Sequence, residues 1–494
     1  MRASSVFFAF LSLATLGLTV YIARTIDLYV ASICAFIGVL YVFFMARAVP
    51  ENSQQMKIKQ GSSLPGIILI VAVVPFIASI ILAQYGLLGN PLESFLRATI
   101  IVGFSITFFV IAFSIPLAME HKLKEEKLPF DPNYRPLVSI LVPAYNEENV
   151  ISRTLESLVN AKYEQKEIIV IDDGSTDKTS VIASWYKQFG VKVVKKPNGG
   201  KASALNYGMV FARGEIIVTV DADSMITRSG IDEVVKAMSR GRIAAVSGNI
   251  KVLNSYNHLT RAQELEYIIG INILRRSLDL FGAVMVVPGA FGAFKRYAIE
   301  NTGYYDKDTV TEDFDLTIKV LKAYGAVGAS STATAFTEVP ATWHSLYKQR
   351  MRWSSGTLQT AIKHKDAFWN ARYSYLHTIV IPILVLSFVM PFASYAAIFG
   401  GIFLSLTGQY YVFVYMLGLF FLIQLFVTFL TLSLNDDPDY SLVWYAPAFV
   451  IGYKQFLDTI TIMNVFAVAF RKNKPWQRTD RVGGLPAIKA KERI

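Results

Sequence analysis

The chain has 494 residues, 53% of them hydrophobic and 17% charged, with a net charge of +11 and a mean hydropathy of +0.40. A composition this apolar excludes an ordinary soluble enzyme, and the length allows two or three domains. The single cysteine, Cys34, lies in an apolar run, which excludes an intrachain disulfide and a cysteine-based zinc site.

Four apolar runs open the chain, at residues 6–23, 28–46, 66–88 and 94–118. Each approaches the roughly 20 residues that cross a bilayer. Arg2 before the first run fits a cleavable signal peptide, but the second run follows almost at once with no small-residue cleavage site, so an anchored hairpin is expected. The loop after the second run carries Arg47, Lys57 and Lys59, whereas the loops at Arg24 and Asn90 are short and poor in charge. The positive-inside rule then gives an inward amino terminus, four spans and a cytoplasmic domain after them. The same rule accounts for much of the basic excess. No DNA-binding motif accompanies that excess, so a nucleic-acid partner is not expected.

From Pro136 to Ala341 short β-branched runs alternate with helical patterns. Strands are expected at 137–142, 166–171, 191–195 and 215–220, with helices at 147–161, 176–189 and 203–213. This alternation predicts an α/β domain with a mainly parallel sheet covered by helices on both faces. In such sheets ligands bind beyond the carboxyl ends of the strands. Tyr145-Asn146-Glu147, Asp172-Asp173-Gly174 and Asp221-Ala222-Asp223 each follow a strand directly, so all three fall on one edge.

Asp221 and Asp223 can reach one metal and a diphosphate, and Mg²⁺ or Mn²⁺ suits such oxygen ligands. The bland alternative for an Asp-x-Asp is a solvated acidic turn. A carboxylate of Asp172-Asp173 can accept from the imide N–H of uracil, while Ser175 or Thr176 caps the following helix. Gly199-Gly200-Lys201 sets a lysine and a helix start toward the diphosphate, without the spacing of a Walker sequence. Thr311-Glu312-Asp313 precedes a helix at 314–324, with Thr311 as its cap and a carboxylate suited to take a proton from a sugar hydroxyl. In Gln349-Arg350-Met351-Arg352-Trp353 the indole can stack on a sugar ring and the guanidiniums suit a diphosphate.

The second membrane block begins at His377. Residues 377–406 and 410–434 read as two spans, while 441–470 is apolar but carries Lys454, Gln455 and Asp458. Charge at that depth is costly, so this segment is expected to re-enter, to lie at the interface or to face a polar path. The organisation is therefore a transmembrane block at 1–120, a cytoplasmic domain at 121–340, interfacial helices at 341–376, a second transmembrane block at 377–470 and a basic tail at 471–494.

Taken together and in this order, the five clusters resemble the processive family-two inverting glycosyltransferases, among them the cellulose, hyaluronan, chitin and poly-N-acetylglucosamine synthases. Pro143-Ala144-Tyr145-Asn146-Glu147 is similar to the opening of that family, and Gly289-Ala290-Phe291-Gly292-Ala293-Phe294 to its acceptor-side loop. The resemblance covers roughly residues 136–360 and implies a GT-A-like, nucleotide-binding mixed sheet. It implies Asp313 as catalytic base, and Tyr145, Glu147, Asp172, Asp173, Lys201, Asp221, Arg350 and Arg352 on the donor. Glu312, Trp353, Gly289 and Phe291 would meet the acceptor, and Asp221 and Asp223 the metal. The expected reaction moves a sugar, N-acetylglucosamine, from UDP to a growing polysaccharide at the cell membrane, with export coupled to synthesis. The alternative is transfer of one sugar to a lipid acceptor. A transporter with a regulatory domain is disfavoured, because no internal repeat links the two membrane blocks.

Overall fold

The computed structural model describes residues 114–470, apart from 116, 123, 126–128, 242, 369, 436 and 437. The first three apolar runs, nearly all of the fourth and the basic tail lie outside the described residues. The chain divides into two compact units, Ile111–Phe392 with Met416–Ile494, and Met1–Val110 with Ala393–Tyr415. The first unit carries every motif singled out above.

Its first half follows the sequence pattern. Strands β1 (Val138–Ala144), β2 (Lys166–Asp172), β3 (Val191–Lys195) and β4 (Ile216–Thr219) run parallel in the order β3-β2-β1-β4. Helices α1 (Ile151–Val159), α2 (Thr179–Trp185) and α3 (Lys201–Phe211) connect them. The strands read as unbroken apolar runs because both faces are buried. Ile140 and Val142 of β1 pack on one face with Val170, Val218 and Leu155, while Leu141 packs on the other with Ile169, Ile171 and Ile217. Each such burial stabilises by about 1.5–3 kcal/mol.

Two local expectations change. Neither Ser175 nor Thr176 caps α2; Asp177 Oδ1 instead accepts from Thr179 N at 2.9 Å, and Thr176 N donates to Asn146 Oδ1 at 2.8 Å. The helix expected at 176–189 is α2 followed by a 3-10 turn, Tyr186–Phe189.

The second half departs from a mainly parallel sheet. After β5 (Ser224–Ile226), α4 (Gly230–Met238) and β6 (Ala245–Val252), the chain makes a helical excursion: α5 (His258–Glu266), a π-helix (Tyr267–Ile273) and α6 (Leu274–Asp279). It returns as β7 (Gly292–Lys295), antiparallel between β4 and β6, and continues through α7 (Arg296–Asn301) and α8 (Glu312–Tyr324) to β8 (Val327–Thr337). The sheet is therefore mixed, in the order β3-β2-β1-β4-β7-β6-β8-β5. Strand direction depends on which end the chain enters after the excursion, and no local pattern reports that.

Beyond the sheet, α9 (Trp343–Lys363) leads to α10 (Ile381–Leu404), α11 (Tyr410–Ser433), a 3-10 helix (Tyr440–Phe449) and α12 (Tyr453–Ala469). Among the described residues one helical stretch, Leu376–Gly408, is long and apolar enough to cross a membrane, with 33 residues and a hydropathy of 2.2. The segment 441–470 is not one continuous helix, because Gly452 (φ 105°) breaks it. Lys454 and Asp458 pair with each other at 2.5 Å in the first turns of α12. That helix packs on α9, where Asn464 Nδ2 donates to Met351 O at 3.1 Å and Trp343 meets Phe456 edge-on at 4.9 Å.

Candidate active site

The carboxyl ends of β1, β2 and β4 form one edge, as the sequence requires. At β1, Asn146 takes a positive φ of 55°, a conformation that asparagine tolerates better than most residues. Its N–H donates to Ser175 Oγ at 3.0 Å, and Glu147 N donates to Thr179 Oγ1 at 2.7 Å. Half-buried Tyr145 and Glu147 are thereby fixed beside the end of β2.

At β2 both aspartates are buried, and each organises backbone. Asp172 Oδ1 accepts from Ser175 N at 2.9 Å. Asp173 gathers the glycine turn, with Lys196 Nζ at 2.5 Å, Gly199 N at 3.0 Å and Gly200 N at 2.8 Å. This grip sets the start of α3 and so aims Lys201, its first residue, into the cleft.

Lys201 Nζ lies 2.6 Å from Asp221 Oδ1 and 3.2 Å from Glu312 Oε1. Burial opposes its charge, but Asp221, Glu312 and Asp313 outweigh that cost and hold the ammonium above its usual range. Burial raises the Glu312 carboxyl first, Lys201 opposes, and Asp313 and Asp221 raise it further, so its net direction is upward. Asp223 is buried, two residues on from Asp221, with Ser224 Oγ at 3.4 Å from its Oδ1.

Asp313 sits in the first turn of α8, where Phe314 N donates to Oδ1 at 2.8 Å and Gly289 N to Oδ2 at 3.2 Å. The backbone at Gly289 closes over the Lys201–Asp221 pair. A Cβ there would stand 2.3 Å from Lys201 Nζ and 3.3 Å from Asp221 Oδ1, so only glycine fits without moving them. Thus Lys201, Asp221, Gly289, Glu312 and Asp313, from four separate stretches of sequence, meet at one point. Thr311 occupies the cap position of α8 but makes no side-chain cap bond. Its side chain packs instead against α9, where a Cβ on Gly356 would come within 2.4 Å of Thr311 Oγ1.

The arginine cluster on α9 is placed differently from the expectation. Arg350 is buried, with Nη2 on Glu266 Oε2 at 2.8 Å and Nη1 on Gln349 Oε1 at 2.5 Å. It also lies 4.3 Å from the Trp353 ring centre. Tyr453 donates to the same Glu266 oxygen. Arg350 is therefore spent on an internal ion pair, while half-buried Arg352 forms no ion pair among the described residues. Half-buried Trp353 faces Tyr267 at 6.5 Å between ring centres. Phe291, expected on the acceptor, is a correction: its side chain is wholly buried in the sheet core, and a Cβ on Gly248 would strike its ring.

Sequence reasoning missed Glu266 and Tyr267, which lie in a stretch it did not assign. It also missed the knot joining α8 to α9. Asp306, Asp308 and Asp315 lie close enough to share a cation, but Lys363 already bridges them at 2.5, 2.8 and 3.1 Å, and His364 Nε2 adds 2.9 Å to Asp315.

Residues 139–303 match the family model described as Glycosyl transferase family 2, so the resemblance drawn from the motifs holds over that segment. The match ends before Asp313 and the arginine cluster. The chain is 33% identical over 236 residues to a poly-beta-1,6-N-acetyl-D-glucosamine synthase from Staphylococcus epidermidis, covering 47% of this chain and 57% of that one. It is 34% identical over 223 residues to the Staphylococcus aureus (strain MSSA476) protein of the same description, covering 44% and 54%. The chain thus spans little more than half the length of the curated relatives it matches. Among solved structures, a mannosyltransferase from Pyrobaculum calidifontis in complex with GDP-Man and Mn²⁺ superposes with a TM-score of 0.54 at 20% identity, over 76% of this chain and 100% of that one. The likeness places the sheet and its helices in the GT-A-like glycosyltransferase fold.

Proposed function

We propose that this protein is a membrane-bound inverting glycosyltransferase that transfers N-acetylglucosamine from UDP to a growing polysaccharide. The observation that carries the reading is the meeting of Lys201, Asp221, Glu312 and Asp313 beneath the backbone of Gly289. A base, a fixed cation and metal-type carboxylates at the ends of parallel strands are what glycosyl transfer from a nucleoside diphosphate needs. The sequence relatives supply the sugar and the polymer as the favoured substrate and product.

In this reading Tyr145, Glu147, Asp172 and Asp173 frame the nucleoside end of the cleft. Asp221 and Asp223 offer the oxygen-only donor set that suits Mg²⁺ or Mn²⁺, which when bound neutralises charge on the diphosphate. Lys201, already drawn to these carboxylates, and Arg352, which forms no ion pair among the described residues, receive the charge that develops on the leaving UDP. The acceptor hydroxyl gives its proton to Asp313. Its oxygen bonds to the anomeric carbon as the bond from that carbon to the diphosphate oxygen breaks with its electron pair, inverting the centre. Trp353 and Tyr267 line the side on which an acceptor ring would stack. Glu312, tied to Lys201, holds the metal side and the acceptor side together. The apolar helix at Leu376–Gly408 and the amino-terminal runs would anchor the catalytic domain on the cytoplasmic face, with the product leaving through or along the spans.

The test is product size. Full-length enzyme with UDP-N-acetylglucosamine and limiting acceptor should release UDP and yield a ladder or long polymer. A single sugar on a lipid, with no longer species at any donor excess, would replace this reading by a lipid-glycosylating one. Absence of UDP release would remove both.

A further inference from the structure

We propose that Glu266 is a positioning residue for sugar transfer: tied to α12 through the Tyr453 hydroxyl, it holds Arg350 against the indole of Trp353 and so orients the ring that receives the acceptor. This rests on the reading of Trp353 as the acceptor's stacking surface and adds residues that the motifs do not contain.

The contacts run without a break across three elements. Glu266 is the last residue of α5, and the π-helix Tyr267–Ile273 starts directly after it. Its Oε2 receives Arg350 Nη2 at 2.8 Å and also accepts from the Tyr453 hydroxyl. Arg350 in turn sets its guanidinium over Trp353, 4.3 Å from the ring centre. The two side chains are i, i+3 neighbours on α9, a spacing that brings them together on one helix face. Tyr267, next to Glu266, meets the same indole at 6.5 Å between ring centres. Two consecutive residues therefore act on Trp353, one through the cation over the ring and one directly. They sit where α5 passes into a π-helix, a distortion frequent at functional sites.

Stability alone does not explain the arrangement. Desolvating a buried ion pair can cost more than the attraction returns, and an apolar pair of similar volume often serves the fold as well or better. Arg350 is buried, and its Nε has no hydrogen-bond partner among the described residues. Its Nη1 goes to Gln349 Oε1 at 2.5 Å and its Nη2 to Glu266. The fork is thus aimed rather than fully satisfied, and its flat side meets an aromatic ring. A cation over an indole is attracted by the ring's quadrupole, so fixing the cation also fixes the ring.

The far end of the chain is braced. Tyr453, the first residue of α12, is buried between Phe449 at 5.3 Å and Trp343 at 6.3 Å between ring centres. Further along α12, buried Asn464 Nδ2 donates to Met351 O at 3.1 Å, inside the Gln349–Trp353 cluster itself. The helix α12 therefore grips α9 at its backbone as well as through Glu266.

The experiment uses full-length protein in lipid nanodiscs with UDP-N-acetylglucosamine and a soluble N-acetylglucosamine oligomer as acceptor. Acceptor-dependent UDP release by the wild type establishes the underlying reading; without it that reading fails, and the positioning role with it, whatever the variants do. Glu266→Gln should raise the acceptor concentration for half-maximal transfer about tenfold, as a misplaced binding surface does, and Tyr453→Phe should raise it less. UDP affinity by calorimetry should change less than about twofold, because the lost binding is on the acceptor side. The double variant Glu266→Leu with Arg350→Met separates positioning from packing. It should melt at or above the wild-type temperature yet keep the raised acceptor requirement, since no cation remains over the indole. Wild-type acceptor dependence in the double variant would overturn the proposal in favour of a packing role. A loss of UDP affinity equal to the rise in acceptor requirement would overturn it in favour of a donor contact. Unchanged acceptor dependence in both single variants, or a double variant that fails to fold, would overturn it as well.

Discussion

Gly356 of α9 lies so close to Thr311 that a Cβ on the glycine would come within 2.4 Å of Thr311 Oγ1 and 2.9 Å of its Cβ. The helix bearing the Gln349–Trp353 cluster and the first turn of α8, which bears Glu312 and Asp313, are thus held in register by the absence of a side chain. Gly356→Ala should push the two apart by a few tenths of an ångström or more. Because positioning errors are heavily penalised in catalysis, sugar transfer should fall by about tenfold or more. UDP binding, read by calorimetry, should remain near that of the wild type.

Gly289→Ala tests the other close approach. The methyl would meet the tip of the Lys201 side chain, which is flexible, so the fold should survive with an unchanged melting temperature. Lys201 would leave Asp221, and the expected result is weaker donor binding, a higher KM for the nucleotide sugar and little change in acceptor dependence.

Asp223→Asn should abolish metal-stimulated turnover while leaving the far-ultraviolet dichroism intact, since Asp223 sits at a strand end with Asp221 two residues before it. Titration with Mg²⁺ or Mn²⁺ after chelation is the readout. Full activity of the wild type in excess chelator would exclude a metal at this site.

Asp313→Asn separates chemistry from binding. In the proposed role of base Asp313 would contribute to the chemical step, so kcat should collapse while nucleotide affinity persists. Transfer at the wild-type rate would reduce Asp313 to a neighbour of the Gly289 backbone.

Asp315 carries a pH dependence. Burial raises its carboxyl, but hydrogen bonds from His364 and Lys363 more than offset this, and the net direction is below the ordinary 3.8. A carboxyl lowered on folding contributes stability above its unfolded pKa that is lost as pH falls through its folded one. Asp315→Asn should therefore cost about 2 kcal/mol near pH 7, the scale of charged hydrogen bonds, with the difference starting to shrink as pH falls below the ordinary 3.8 and disappearing only below the lower folded value. Denaturant unfolding of wild type and variant across that range checks the sign.

The strand-end clusters were legible in the sequence because β1, β2 and β4 are apolar on both faces, so the first polar residue after each run marks the same edge. The helix after Thr311 was legible from its period. The antiparallel entry of β7 was not, since Gly292–Lys295 is short and its direction is set by the preceding excursion. Nor was the fate of Arg350. Its partner Glu266 lies 84 residues away, and only packing of α9 on α5 tells a buried ion pair from a substrate contact. Phe291 shows the same limit, because a residue in an acceptor-side motif can point into the core while its backbone neighbour Gly289 lines the site.

The Glu266 carboxylate also sets an order of events during synthesis. Its partners Arg350 and Tyr453 leave the ribosome 84 and 187 residues after it. The sheet can close once β8 has emerged, but the junction of α5, the π-helix and α9 stays incomplete until α12 is made. A nascent chain halted before Tyr453 would therefore hold a finished sheet in which Glu266 has met Arg350 but still lacks the hydroxyl that ties it to α12.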